Sequence, residues 1–151
     1  MDTQKHDIKH LNDLIETTLD SAEGYAEAAK ESKQPQFTEL FNNRAAERKL
    51  LAALLQAQVR QLGGEPEDSG TVLASAHRFF VNLRSKMSSG DTAVVDEVER
   101  GEDHIKAKYE HALKDTELSP RTRAVIEEAY GSVKAGHDQM RDIKHRLHGE
   151  N

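Results

Sequence analysis

The sequence predicts an all-α protein: a four-helix bundle with an additional crossover helix around residues 69-87. Three observations predict it. Apolar residues recur at spacings of three, four and seven over long segments, which is the signature of amphipathic helices. Turn-forming residues are few and fall between those segments. No alternating run and no Asn-Gly or Asp-Gly hairpin signal is present, so strands are not expected.

The first segment covers about residues 4–31, with Ile8, Leu11, Ile15, Ala22, Tyr25 and Ala29 on one face. Pro35 follows a polar stretch and opens the second segment, 35–62. Its apolar residues are Phe37, Leu40, Phe41, Leu51, Leu54, Leu55, Val59 and Leu62. Gly63-Gly64-Glu65-Pro66 is a strong stop. The third segment, 69–87, carries Val72, Ala76, Phe79, Phe80 and Leu83, and ends at Ser88-Ser89-Gly90-Asp91. A helix of about 18 residues covers about 27 Å, enough to carry the chain back along a bundle. Phe79 and Phe80 are expected to pack on the bundle or to form a dimer interface. The fourth segment, 92–115, holds Val94, Val95, Val98, Ile105, Tyr109, Ala112 and Leu113. Ser119-Pro120 caps the fifth, 119–148, with Pro at the first helical position and Val125, Ile126, Ala129, Val133, Met140, Ile143 and Leu147 inward. Four long segments of matched length joined by short turns make a bundle. The whole chain, 1-151, reads as a single domain.

Composition narrows the function classes. Charged residues are 32% and hydrophobic residues 36%, and no apolar run is long enough to span a membrane. The opening residues lack a basic segment followed by an apolar one, so no signal peptide is expected. The absence of Cys excludes disulfides, thiolate metal sites and cysteine nucleophiles. It suits a reducing compartment, and the expected location is cytoplasmic. A formal charge of −6 argues against nucleic acid as a partner. There is no P-loop, Gly-x-Gly-x-x-Gly, Gly-x-Ser-x-Gly or His-Glu-x-x-His motif. The reading therefore leans away from an enzyme.

The informative residues are polar ones on apolar faces. On helical wheels at about 100° per residue, Thr18 falls within the stripe of the first helix and Glu102 within that of the fourth segment. Arg44 and Arg48 fall near the centre of the second helix's apolar face, with Glu47 on its flank. His137 lies on the flank of Val133 and Met140. Carboxylates are seldom buried without a partner. Counting from the turns near residues 33 and 118 places Thr18 level with Glu47 and Arg48, and Glu102 level with Val133 and His137. If the halves align, one polar layer crosses the bundle, and carboxylates with histidine in such a layer are the ingredients of a metal site. Elsewhere, Asp96-Glu97-Glu99-Glu102-Asp103 reads mainly as a solvated face. His104 and His111 fall on polar faces, and His145 and His148 sit in the last turns of the fifth segment, where cations suit the helix dipole. His6 and His10, four apart, read as surface residues able to take up a metal adventitiously. The three tyrosines read as core packing.

The stretch Leu11-Asn12-Asp13-Leu14-Ile15 followed by Tyr25 resembles the first helix of the bacterioferritin and rubrerythrin families. Those families place a metal-binding Glu seven residues before a Tyr. Thr18 stands at that place here, whereas Glu102 with Tyr109 keeps the pattern. In the second helix, Glu47-Arg48-Lys49-Leu50 matches Glu-x-x-His with Leu50 in place of the His. In the last helix, Lys134-Ala135-Gly136-His137 keeps the His and has Lys134 at the Glu position. More closely, the whole chain resembles a family of small bacterial ferritin-like four-helix-bundle proteins of unknown function. The stretches that carry this likeness are Leu11 to Glu16, Gly63 to Asp68, Glu99 to Asp103 and His137-Asp138. The resemblance implies a ferritin-like bundle and no particular activity.

Two function readings follow. The preferred one is a non-catalytic interaction or structural protein, with a stress-related role as one option and a degraded metal site. Its partner would be a second copy or another protein, with neither nucleic acid nor membrane involved, and no cofactor. In this reading Arg44, Arg48 and Lys134 displace a metal, and an arginine satisfies Glu102 directly. The alternative is a metal-binding protein or oxidoreductase holding Fe, Mn or Zn through Glu47, Glu102 and His137.

Overall fold

The computed structural model describes residues 2–69 and 90–149, and the four long segments are helices in it. We label them α1 (Asp2–Glu31), α2 (Pro35–Gln61), α3 (Asp91–Leu113) and α4 (Pro120–Leu147). The architecture is the expected all-α four-helix bundle. The expected crossover helix around residues 69-87 lies outside the described residues, apart from Ser69, which is in a bend. Among the described residues no helix is long and apolar enough to cross a membrane.

Local chemistry accounts for three of the helix ends. Pro35 and Pro120 occupy the first turn of α2 and α4, where a missing N–H costs nothing. Gly63 takes a positive φ of 81° after α2, the left-handed conformation that a helix stop favours. The Gly64 N–H then bonds back to the Val59 carbonyl. Asn12 of α1 holds the chain beyond that stop. Its amide donates to the Glu65 carbonyl at 3.1 Å and accepts from the Glu67 N–H at 2.9 Å.

The helices pair as two antiparallel hairpins, α1 with α2 and α3 with α4. Across the hairpins α1 adjoins α3 and α2 adjoins α4, leaving α2 and α3 on a diagonal. Contacts at the two ends fix the directions. At one end His6, Asp7 and His10 of α1 meet Asp115 and Ser119 between α3 and α4. At the other end Asp91 of α3 meets the α1–α2 turn. α3 is therefore antiparallel to α1 and parallel to α2, so α2 ends at the opposite end of the bundle from the start of α3.

The core has two apolar halves. One contains Leu11, Leu14, Ile15, Leu55, Val59, Ile105, Tyr109, Ile126 and Val133. The other contains Tyr25, Ala28, Phe37, Phe41, Val94, Val95, Val98, Met140 and Ile143. Buried carboxylates pin the two ends. Asp7 accepts the Ser119 hydroxyl at 2.5 Å and the Ser119 N–H at 3.3 Å, just ahead of α4. Asp91 accepts the N–H groups of Lys33 and Gln34, both at 2.9 Å.

Asp91 closes a turn that otherwise leaves two backbone donors without a protein acceptor. Asp91→Ala should lower unfolding stability by about 1.5–3 kcal/mol, the range for hydrogen bonds to a charged group. Urea denaturation followed by circular dichroism measures it, and an unchanged midpoint would remove this role.

Candidate functional site

Between the two apolar halves lies a polar layer built on Arg48 and Glu102. Arg48 Nη1 and Nη2 donate to Glu102 Oε1 and Oε2, both at 2.7 Å. Nη1 also donates to Ser21 Oγ of α1 at 2.8 Å. The side chains are 0% and 1% exposed. α2 and α3 are diagonal neighbours, so this ion pair spans the centre of the bundle. Parallel two-point contact of this kind is the strongest arrangement available to an arginine and a carboxylate.

The space for it comes from the facing helices. A Cβ on Gly136 of α4 would stand 2.6 Å from Arg48 Nη2 and 2.9 Å from Arg44 Nη1. Glycine at this position lets the α4 backbone approach both guanidinium groups. Tyr25 of α1 presents its ring face to Arg48, with the guanidinium carbon 5.5 Å from the ring centre, a favourable cation–π placement.

The two tyrosines that follow Thr18 and Glu102 by seven residues cross over. Tyr109 of α3 reaches Thr18 of α1, with the two oxygens 2.7 Å apart. Thr18 Oγ1 also donates to the Leu14 carbonyl at 2.6 Å, so Tyr109 is the donor in their contact. Tyr25 of α1 lies in the field of Glu102 of α3. The two hairpins thus repeat one arrangement with different residues in it.

The sequence-derived candidates fall as follows. Glu102 is buried and held by Arg48. Glu47 accepts from Arg44 Nη1 at 3.0 Å and from the Ser132 hydroxyl at 2.6 Å. Arg44 also donates to Gln139 Oε1. His137 is 8% exposed; its Nε2 meets Asp103 at 2.7 Å and its Nδ1 meets Asp138 at 3.1 Å. Among the described residues, two His/carboxylate groups gather one ligand atom each within 4.8 Å of one another: His6, His10 and Asp115, and Glu99, Asp103 and His137. The first set joins His6 and His10, which read from the sequence as surface residues able to take up a metal adventitiously, with Asp115. Glu47, Glu102 and His137 do not form a third such group.

Several pairings differ from the level-by-level expectation. Thr18 bonds Tyr109 rather than Glu47 or Arg48, because α1 turns that face toward α3; Ser21 is the α1 residue that meets Arg48. Asp103 rather than Glu102 meets His137. The acidic string of α3 is not mainly solvated: Glu97 and Glu99 are buried along with Glu102. Glu97 pairs with Arg100 and Glu99 with Lys144 of α4.

The electrostatics follow the packing. Burial works against the Arg48 charge, and Glu102 outweighs it, so the Arg48 pKa lies above its ordinary value. Burial raises Glu47, but Ser132 and Arg44 outweigh it and hold its pKa down. Asp138 is held at about 2, first by its contact with His137 and then by Lys134. All three tyrosines are raised. Burial, and after it the Glu102 charge, lifts Tyr25 well above 10.0. Burial pushes Tyr109 up to about 12. The Glu110 carboxylate, accepting the Tyr130 hydroxyl at 2.6 Å, pushes Tyr130 up to about 12.

Fold and site together define an all-α four-helix bundle whose interior is divided by a buried arginine–glutamate pair. The family described as "Domain of unknown function (DUF2383)" matches residues 6–115. The chain belongs to that family. The matched stretch contains Thr18, Ser21, Tyr25, Arg48, Glu102 and Tyr109, and ends before α4, which supplies Gly136 and His137. No curated protein matches the chain.

The tyrosines give a pH prediction. An unfolded chain releases phenolic protons near pH 10, whereas the folded chain keeps the Tyr109 proton until about pH 12. Between those values the folded state binds more protons, so stability falls as pH rises. Tyr109 alone should account for a loss of up to about 3 kcal/mol over that range. In an ultraviolet phenolate titration of the native protein, none of the tyrosines should titrate at its ordinary value. A normal tyrosine titrating without unfolding would contradict the packing.

Proposed function

We propose that this protein is a non-catalytic interaction or structural protein, a ferritin-like bundle in which an internal ion pair stands where a metal centre would otherwise lie. The observation that carries the reading is the two-point Arg48–Glu102 contact. Both oxygens of the most buried glutamate among the described residues are taken by a fixed cation, and a second guanidinium, Arg44, lies beside the same α4 glycine. A divalent ion at Glu102 would have to displace Arg48 and leave that charge buried without its partner, which costs several kcal/mol. The function then resides on the outer surface, through self-association or another protein partner. A stress-related setting is part of the same proposal.

The alternative reading, metal bound by Glu47, Glu102 and His137, makes a different prediction. Full-length protein is loaded with Fe²⁺ under anaerobic conditions, desalted and analysed for metal, then exposed to air while absorbance is followed. The proposal expects Glu102→Ala to leave iron content unchanged and no absorbance change to depend on Glu102. Iron retained by the native chain and lost in Glu102→Ala would overturn it in favour of the metal reading.

A further inference from the structure

The end of the bundle where α1 begins carries a second, unrelated cluster. His6 and His10 are four residues apart on α1, so their side chains rise from one face. Both direct Nε2 at the same atom, Asp115 Oδ2, at 2.5 and 2.8 Å. The two imidazole rings meet edge to face with centres 4.8 Å apart. Asp115 lies beyond α3, in the turn leading to α4. Its other oxygen, Oδ1, accepts the Glu117 N–H at 2.8 Å, which aims Oδ2 at the histidines. The side chains of His6, His10 and Asp115 are 34%, 22% and 19% exposed, so the cluster is sheltered yet open to solvent.

We propose that His6, His10 and Asp115 form a binding site for a divalent transition-metal ion, of which Zn²⁺ is the best chemical fit. Two imidazole nitrogens and one carboxylate oxygen are the donor types that Zn²⁺ prefers in the absence of thiolate, and three protein ligands leave a place for water. In the metal-free arrangement each Nε2–H donates to Asp115. Binding requires each imidazole to present an unprotonated Nε2, with its proton on Nδ1 or released to solvent, while Oδ2 gives a lone pair to the ion in place of accepting those hydrogen bonds. Two neutral imidazoles and one carboxylate leave the occupied site with a net charge of +1. The nearby Arg123 guanidinium is directed at the backbone carbonyls of Leu113 and Asp115 rather than at the carboxylate.

The other triple, Glu99, Asp103 and His137, is a poorer host, since Lys144 Nζ sits 3.3 Å from the Glu99 carboxylate. The proposed site is also independent of the Arg48–Glu102 pair, because it lies at the end of the bundle and shares no residue with the polar layer. An ion there would tie the start of α1 to the α3–α4 turn, beside the Asp7–Ser119 contact, and so fasten the two hairpins together.

The test uses the full chain without a histidine tag. Zn²⁺ is titrated by calorimetry, and Co²⁺ is used as a spectroscopic probe of nitrogen and oxygen ligation. The expected result is one ion per chain, with affinity falling at least about tenfold in His6→Gln, His10→Gln and Asp115→Asn, no smaller than the loss from removing a supporting group at a metal site. His137→Gln should leave affinity unchanged. In the native chain, added Zn²⁺ should shift the imidazole NMR signals of His6 and His10 before those of the other histidines, a readout that needs no variant. Binding that survives both histidine substitutions, binding lost in His137→Gln instead, or imidazole signals of His6 and His10 that do not move would each overturn the proposal.

Discussion

The structure depends on one constraint: a carboxylate at the centre of a four-helix bundle must be neutralised. Glu102 sits on the buried face of α3, one turn from Val98 and close to Ile105, where water cannot solvate its charge. Arg48 crosses the bundle from the diagonal helix and satisfies both oxygens. Most of the surrounding choices follow. Ser21 takes a third guanidinium hydrogen bond, Tyr25 offers its ring face, and Gly136 removes the side chain that would collide with Nη2. Each of the four helices gives up some apolar contact to make this layer.

A buried ion pair is a poor way to add stability, because desolvating two charges costs about what their attraction returns. Its value here is geometric. The pair forms only if α2 and α3 lie on a diagonal with Arg48 and Glu102 at one height, and only if Gly136 faces them. The two apolar halves would tolerate sliding or rotation of the helices far better than this layer does. Asp7 and Asp91 apply the same logic at the ends, where each buried carboxylate accepts hydrogen bonds from the turn of the other hairpin.

Much of this was legible in the amino-acid order. Helical spacing located the four described helices to within a residue or two, and it placed Arg48 and Glu102 on core faces at compatible heights. Helical wheels give the direction of a side chain within its own helix, not the identity of the helix it meets. For that reason the wheel pairs Thr18 with α2 although its partner is Tyr109, and it does not distinguish Ser21. The buried carboxylates Asp7 and Asp91 depend on turns distant in the chain, and nothing in their local sequence marks them. Asp115 is likewise unmarked: it stands 109 residues from His6 and meets it because α1 and α3 are antiparallel. The burial of Glu97 and Glu99 is not legible in the sequence, because a run of acidic residues resembles a solvated face until the packing of α4 is known.

Arg48 and Glu102 are each other's counter-ion at the centre of the bundle. A double-mutant cycle with Arg48→Met, Glu102→Leu and the double variant, measured by urea denaturation, tests it most directly. Each single variant should lose about 3–5 kcal/mol, having stranded one buried charge, while the double variant should return to within about 1 kcal/mol of the native chain or exceed it. Losses that simply add would show that the two residues answer to different partners and that the pair is not the counter-ion contact described.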